Sequence, residues 1–262
     1  MRVVEISFSP TGGTKRVADM LCEHLSLDFE TIDLTDSRCD FSKVFMQKED
    51  ITVLAVPSYG GRVPEPAAER ISEIVGNGCK AVLMCVYGNR AYEDTLAELQ
   101  DIAQAAGFQA VAAIAAVAEH SIVGQYAVGR PDKADQEKIS MFAYKILDKL
   151  NGETRGSLKL PGNRPYKKRG GGGLIPTVSN ACKECGICAE KCPVQAIDKM
   201  QLQVTDSKKC ISCMRCIRVC PENARRLNPE TLLAVSTALK KDCSVRKGYE
   251  LYESVSVSDG NL

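Results

Sequence analysis

Twelve residues in the last third of the chain occur twice, and they limit what it can fold around. CKECGICAEKCP at 182–193 returns as CISCMRCIRVCP at 210–221, with every cysteine and the closing proline displaced by 28 positions. Each copy reads C-x2-C-x2-C-x3-C-P. Three thiols at three-residue spacing let one loop wrap a cubic iron–sulfur cluster and offer a ligand to each of three irons. The fourth cysteine follows after a longer step and opens to the opposite side, where it completes the other repeat's cluster. The spacing therefore predicts two [4Fe-4S] clusters, one on Cys182, Cys185, Cys188 and Cys220, the other on Cys210, Cys213, Cys216 and Cys192. Pro193 and Pro221 fix the chain direction past each crossing cysteine and bring no competing N–H. Structural zinc is the competing reading. Zinc sites are usually built from two separated C-x2-C pairs, whereas these are tandem three-plus-one runs.

Thirteen cysteines would suggest a disulfide scaffold in a short secreted chain, but this chain has 262 residues. Eight of the thirteen fall between positions 182 and 220, a clustering that belongs to cofactor chemistry. Cys22, Cys39, Cys79, Cys85 and Cys243 fit no ligand spacing. The opening MRVVEISF runs straight into a strand and lacks a signal-peptide layout. No stretch reaches the roughly 18 apolar residues of a membrane span. A soluble, cytoplasmic protein is expected. Lysine and arginine total 34 against 33 acidic residues, so charge points to no nucleic-acid partner.

The first 150 residues follow another rhythm. Residues 3–8, 29–34, 51–56, 79–87 and 108–118 are short apolar runs separated by helical patterns. Val17, Leu21 and Leu25, with Ala18 and Cys22 beside them, form the inner face of a first helix. Pro64 and Pro66 open a second over 65–75, and Gly107 stops a third over 92–106. A fourth, over 132–150, would bury Ile139, Phe142, Ala143, Ile146, Leu147 and Leu150. Five strands alternating with helices predict an α/β fold with a doubly wound, five-stranded parallel sheet.

In such a sheet a ligand sits beyond the carboxyl ends of the strands, where the strand order reverses. For the order 2-1-3-4-5, the loops after strands one, three and four meet there. They read SPTGGT (9–14), PSYGGRVP (57–64) and YGNRAY (87–92). Each suits a part of FMN. Hydroxyls of Ser9, Thr11 and Thr14, with N–H groups near Gly12 and Gly13, can surround a phosphate at a helix N-terminus. The Walker A spacing is absent. In the second loop, Pro57, Ser58, Tyr59 and Gly60 would meet the ring. Tyr59 offers a flat face, and Gly60 and Gly61 allow close backbone approach. Tyr87, Gly88, Asn89 and Tyr92 would flank the ring from the other side, Asn89 bonding its polar edge. His120, at the end of strand five, is a further group near that edge.

These motifs carry a resemblance. Residues 178–227 resemble the two-cluster bacterial ferredoxins, and the N-terminal domain looks like a flavodoxin. With SPTGGT, PSYGGRVPEP, YGNRAYED, the stretch from His120 to Asp132 and both cysteine repeats, the whole chain is similar to fusion proteins of anaerobes that join the two. The resemblance implies a flavodoxin-like FMN domain at 1–150, a linker at 151–177, a small α+β ferredoxin domain at 178–227, and a C-terminal helix and tail at 228–262. It also implies FMN and two [4Fe-4S] clusters in one electron-transfer polypeptide. The chain has no tryptophan, so any aromatic stack on the flavin falls to tyrosine.

The linker holds Lys167, Lys168 and Arg169 followed by Gly170 to Gly173, and reads as an irregular basic segment. It is either a solvated charge run or a docking strip for an acidic redox partner. Asn228 and Pro229 look like the N-cap and first position of a helix burying Leu232, Leu233, Val235 and Leu239. The expected function is electron relay between FMN and the clusters, serving redox partner proteins such as a reductase or a ferredoxin-dependent enzyme. The alternatives are a flavin-dependent oxidoreductase reducing a small substrate, and a redox-sensing interaction module.

Overall fold

The structure is a computed structural model that describes residues 2–151, 158–170 and 172–254. Its largest element is a six-stranded sheet. β1 (Val3–Ser7), β2 (Glu30–Asp33), β3 (Ile51–Pro57), β4 (Lys80–Tyr87) and β5 (Gln109–Val117) are parallel in the order β2-β1-β3-β4-β5. β1 and nearly all of β3, β4 and β5 are buried, because helices cover both faces of the sheet. Those helices are α1 (Gly13–Leu25), α2 (Glu65–Glu73), α3 (Thr95–Ala105) and α4 (Lys133–Asn151). α1 turns Val17, Ala18, Leu21, Cys22 and Leu25 inward, the apolar stripe that its 3.6-residue period requires.

The C-terminal module consists of β6 (Thr177–Val178), α5 (Ile187–Glu190), α6 (Arg215–Arg218) and β7 (Arg225–Arg226), with β6 and β7 antiparallel. Its two cysteine repeats are also backbone repeats. Left-handed φ values occur at Glu184, Gly186 and Gln195, and again 28 residues on at Ser212, Met214 and Asn223.

Beyond the module, α7 (Pro229–Cys243) is capped as expected, the Asn228 side chain accepting from the N–H groups of Glu230 and Thr231. Leu232, Val235 and Leu239 lie against Val123 and Tyr126 of the loop after β5. Leu233, expected inside, is 68% exposed because α7 covers only that loop and leaves its outer face to solvent.

The chain then returns to the sheet. β8 (Glu250–Glu253) pairs antiparallel with β5, so the sheet has six strands and not five. Its sequence ELYE is short, polar and distant from the other strands, and only pairing with the β5 edge makes it a strand. The approach to β8 is tied down by the loop after β5. Buried Arg130 holds Asp135 through two bonds of 2.8 and 2.6 Å and donates to Lys247 O, while Arg246 pairs with Asp132 at 2.7 Å.

The linker is irregular, but its described residues are pinned to α3 and the loops beside it. Lys167 pairs with Glu93, Arg169 with buried Glu98, and Arg164 with Asp101. Arg62 shares Glu98 and sits 4.8 Å above the Tyr166 ring. Both ends of the Lys167–Lys168–Arg169 run are therefore engaged within the chain, which removes most of the charge that a docking strip would present.

Candidate functional site

The loop after β1 ends in Gly12, whose φ of 90° precedes α1. No atom lies within 4 Å of where a side chain at Gly12 would begin, so the loop leaves space over the helix start. Thr14 is buried, and Thr11 and Gly13 face the same space. The Ser9 hydroxyl accepts from the Lys15 N–H at 2.8 Å, which closes the loop and leaves its own proton to donate outward. Hydroxyls and free helix-end N–H groups together make a cradle for a phosphate.

After β3, Tyr59 and Arg62 exchange backbone bonds of 3.0 and 3.2 Å across Gly60 and Gly61. Both glycines have positive φ, 60° and 84°, as the tight hairpin turn needs. The turn aims Tyr59 at the cavities and fixes Ser58, whose hydroxyl bonds Thr95 at 2.8 Å. Burial first, and then the nearby Cys213 thiol, push the Tyr59 phenol well above its ordinary pKa. The side of Gly60 where a Cβ would stand faces Gly170 O of the linker.

After β4, Tyr87 and Gly88 line the cavities. Gly88 is required there, since a Cβ would stand 2.5 Å from the His120 ring. Asn89 departs from expectation. Its side chain is buried and spends its bonds on Cys243 O, Val245 O and Lys247 N. Tyr92 likewise turns to β8, its hydroxyl bonding Tyr252 and Glu250 and its ring lying 5.2 Å from that of Tyr87. Both hold the C-terminal segment, because β8 lies against β5 where the sequence alone suggests open solvent.

The loop after β5 is the fourth wall. His120 Nδ1 accepts from the N–H groups of Ile122 and Val123, both at 3.2 Å, which assigns the ring proton to Nε2. Burial first, then nearby Arg90, lower its pKa and keep the ring neutral.

These loops enclose adjoining cavities. One of about 200 Å³ is bounded by Tyr59, Tyr87, Gly88 and His120, and closed by Ile211 and Ser212 of the cysteine module. One of about 40 Å³ joins the loops after β1, β3 and β4. A third, of about 460 Å³, runs from Gly12 and Gly13 past Arg16 to Arg218 and Arg226.

The cysteines gather across the repeats. Cys182, Cys185, Cys188 and Cys220 line one small cavity within the module. Cys192 is buried in an apolar cluster that Cys188, Cys210 and Cys216 all pack against, and acts electrostatically on Cys213 as well. Among the described residues, no three His, Cys, Asp or Glu side chains are placed to hold a single metal ion. The two crossing cysteines receive matched N–H···S bonds of 3.3 Å, Ala196 to Cys192 and Ala224 to Cys220. Such bonds tune a cluster's potential.

Arg225 is the group that the motif does not announce. It is 3% exposed, donates to Leu202 O and Thr205, and leaves Nε without a partner among the described residues. It lines the cavity of Cys182, Cys185, Cys188 and Cys220, and at Cys210 and Cys216, where burial raises the thiol pKa, its charge acts in the opposite direction. The first repeat has Ile197 at the matching position, and that mismatch was the available signal.

Residues 181–225 match the 4Fe-4S dicluster domain family. A 63-residue stretch is 38% identical to a tetrathionate reductase subunit of Salmonella typhimurium, covering 23% of this chain and 25% of that protein. A 66-residue stretch is 36% identical to the corresponding tetrathionate reductase subunit of Archaeoglobus fulgidus, covering 24% and 31%. The chain thus spans between a quarter and a third of these curated relatives. Among solved structures it is similar to a flavodoxin of Streptococcus pneumoniae TIGR4, with 21% identity, TM-score 0.39, and coverage of 56% of this chain and 99% of that one. It is also similar to an apo NADH:FMN oxidoreductase, with 16% identity, TM-score 0.42, and coverage of 59% and 93%. No helix among the described residues is long and apolar enough to cross a membrane. With the strand order β2-β1-β3-β4-β5 of its sheet, the chain joins an α/β domain of flavodoxin-like fold to a segment that matches the 4Fe-4S dicluster domain family.

Proposed function

We propose that this chain relays electrons between FMN and two [4Fe-4S] clusters, linking a two-electron redox partner to one-electron carriers. The observation that carries the reading is the meeting of the loops after β1, β3 and β4 at one cavity, beside a second that shares Tyr59, Tyr87 and Gly88 and is closed by Ile211 and Ser212 of the cysteine module. FMN supplies the exchange between two-electron and one-electron chemistry. Thr11, Thr14, the Ser9 proton and the Gly13 N–H would hold its phosphate, while the Gly12 N–H donates to Ser9 O and closes the loop. Ser58, Tyr59, Tyr87 and Gly88 would contact the ring, with neutral His120 as a donor at the cavity wall. Cys182, Cys185, Cys188 and Cys220 would hold one cluster, and Cys210, Cys213, Cys216 and Cys192 the other. The gathering of Cys220 with Cys182, Cys185 and Cys188 around one cavity supports that division. Redox proteins, in a compartment that keeps thiols reduced such as the cytoplasm, are the expected partners.

An anaerobic reductive titration tests the reading. The protein should take up about four electrons per chain, two at the flavin and one at each cluster. Uptake of about two, with either the flavin or the iron–sulfur absorption unchanged, would contradict it. The cavity of about 460 Å³ beside His120 favours a second reading, reduction of a small anionic substrate held by Arg16, Arg218 and Arg226. That reading requires a substrate whose addition reoxidises the reduced protein.

A further inference from the structure

The two cysteine repeats share a backbone and differ in what they face. In the first, Lys183, Glu184 and Cys185 are all exposed. The matching residues of the second are Ile211, half-buried, Ser212, buried, and Cys213, 8% exposed. Gly186 of the first is replaced by Met214, which keeps the left-handed φ of 62°. A residue with a Cβ is disfavoured in that region. Met214 nonetheless occupies it, and its side chain lines the cavity that begins at Gly12 and Gly13. Ile187 is replaced by Arg215, whose guanidinium reaches Ser9 O and Pro10 O, each at 3.4 Å, and Asp33 at 3.9 Å. Ile211 and Ser212 close the cavity that Tyr59, Tyr87 and Gly88 open. The cavity between the first-repeat thiols is bounded only by residues between 182 and 225. These departures turn the loop around Cys213 toward the α/β domain, whereas the first repeat leaves the loop around Cys185 exposed and touches that domain only further on, through Glu190, Pro193 and Gln195.

We propose that the cluster held by Cys210, Cys213, Cys216 and Cys192 exchanges electrons with the flavin. The cluster held by Cys182, Cys185, Cys188 and Cys220 is then the port for external one-electron carriers. This rests on the relay reading. Tunnelling between redox centres falls steeply with distance, so the ligand loop that walls the flavin cavity sets the internal route. The fully reduced flavin, as its anion, would give up two electrons one at a time and release its N5 proton to solvent. Each electron would pass to the second-repeat cluster, then to the first-repeat cluster, and reduce one oxidised carrier at Cys185. Two reduced carriers, each giving one electron, would drive the same route inward, with one proton taken from solvent per flavin anion formed.

Two measurements on the reconstituted holoprotein test the order. In the first, a soluble gadolinium chelate is added to the dithionite-reduced protein. The electron paramagnetic resonance signals of the two clusters are assigned with Cys185→Ser and Cys213→Ser. The first-repeat signal should broaden several-fold more than the second, and equal or reversed broadening would overturn the proposal. This arm needs no flavin. The second compares Ile211→Glu with Lys183→Glu at matched positions, which leaves all ligands in place. Ile211→Glu should shift the flavin absorption and weaken FMN at least tenfold. Lys183→Glu should leave both unchanged and alter the electron-transfer rate with an added ferredoxin several-fold. The converse pattern would overturn the assignment. Absence of FMN from the wild-type protein would sink the relay itself, while the chelate result would still report which cluster faces outward.

Discussion

Arg225 shows how far one side chain can depart from a motif. With two clusters held as proposed, a cation buried beside both ligand sets would favour their more negative, reduced states and raise both potentials. Arg225→Ile, the residue of the first repeat, should move both midpoints to more negative values by protein-film voltammetry, with the iron content unchanged. Unmoved potentials would show that the charge is screened at this site. Thr11 tests the phosphate cradle. Thr11→Ala should weaken FMN by about 1.5–3 kcal/mol, the range for a hydrogen bond to a charged group, and leave riboflavin binding little changed. Equal loss for both flavins would place the phosphate elsewhere. The cysteine spacing made the 4Fe-4S dicluster domain legible because a cubane dictates where thiols must stand. Arg225, Ile211 and Ser212 were hidden because their roles depend on which way the module faces, and a local pattern does not encode that.

At the scale of elements, the parallel strands and α1 to α4 were legible from periodicity alone, with boundaries displaced by one to three residues. β8 was not, because ELYE becomes a strand only against the free edge of β5. Asn89 departs from expectation for the same reason. Asn89→Ala should leave three backbone groups of the segment leading to β8 without partners and destabilise the protein by about 2–4 kcal/mol. A lowered urea midpoint with the FMN affinity retained is the expected result, and the reverse would return Asn89 to the flavin. The contact between β1 and α1 carries a pH dependence of its own. Glu5 is fully buried, 3.3 Å from Lys15 Nζ, with Oε1 unpartnered among the described residues. Burial first, and then Asp19, raise its pKa from 4.5 to about 7. A carboxyl raised in the folded state stabilises most while protonated. Its contribution is therefore full below pH 4.5 and is lost as pH rises through about 7. Glu5→Gln should flatten the fall in stability across that window, measured by denaturant titration at several pH values against wild type.

For the whole molecule, the module with its two cysteine repeats lies in sequence between the five parallel strands and the last strand of one sheet. The chain leaves the sheet after α4, builds the module, and returns through α7 to β8. Arg215, within the module, bonds the loop after β1, and Arg130 ties down Lys247 on the return to β8. The proposed relay stands or falls on what the two parts hold. The most direct test is anaerobic purification with iron, acid-labile sulfide and flavin quantified on the same sample. The relay predicts about eight irons, about eight sulfides and about one FMN per chain. Stoichiometric zinc in place of iron, or iron at that level with no flavin even after incubation with FMN, would contradict it.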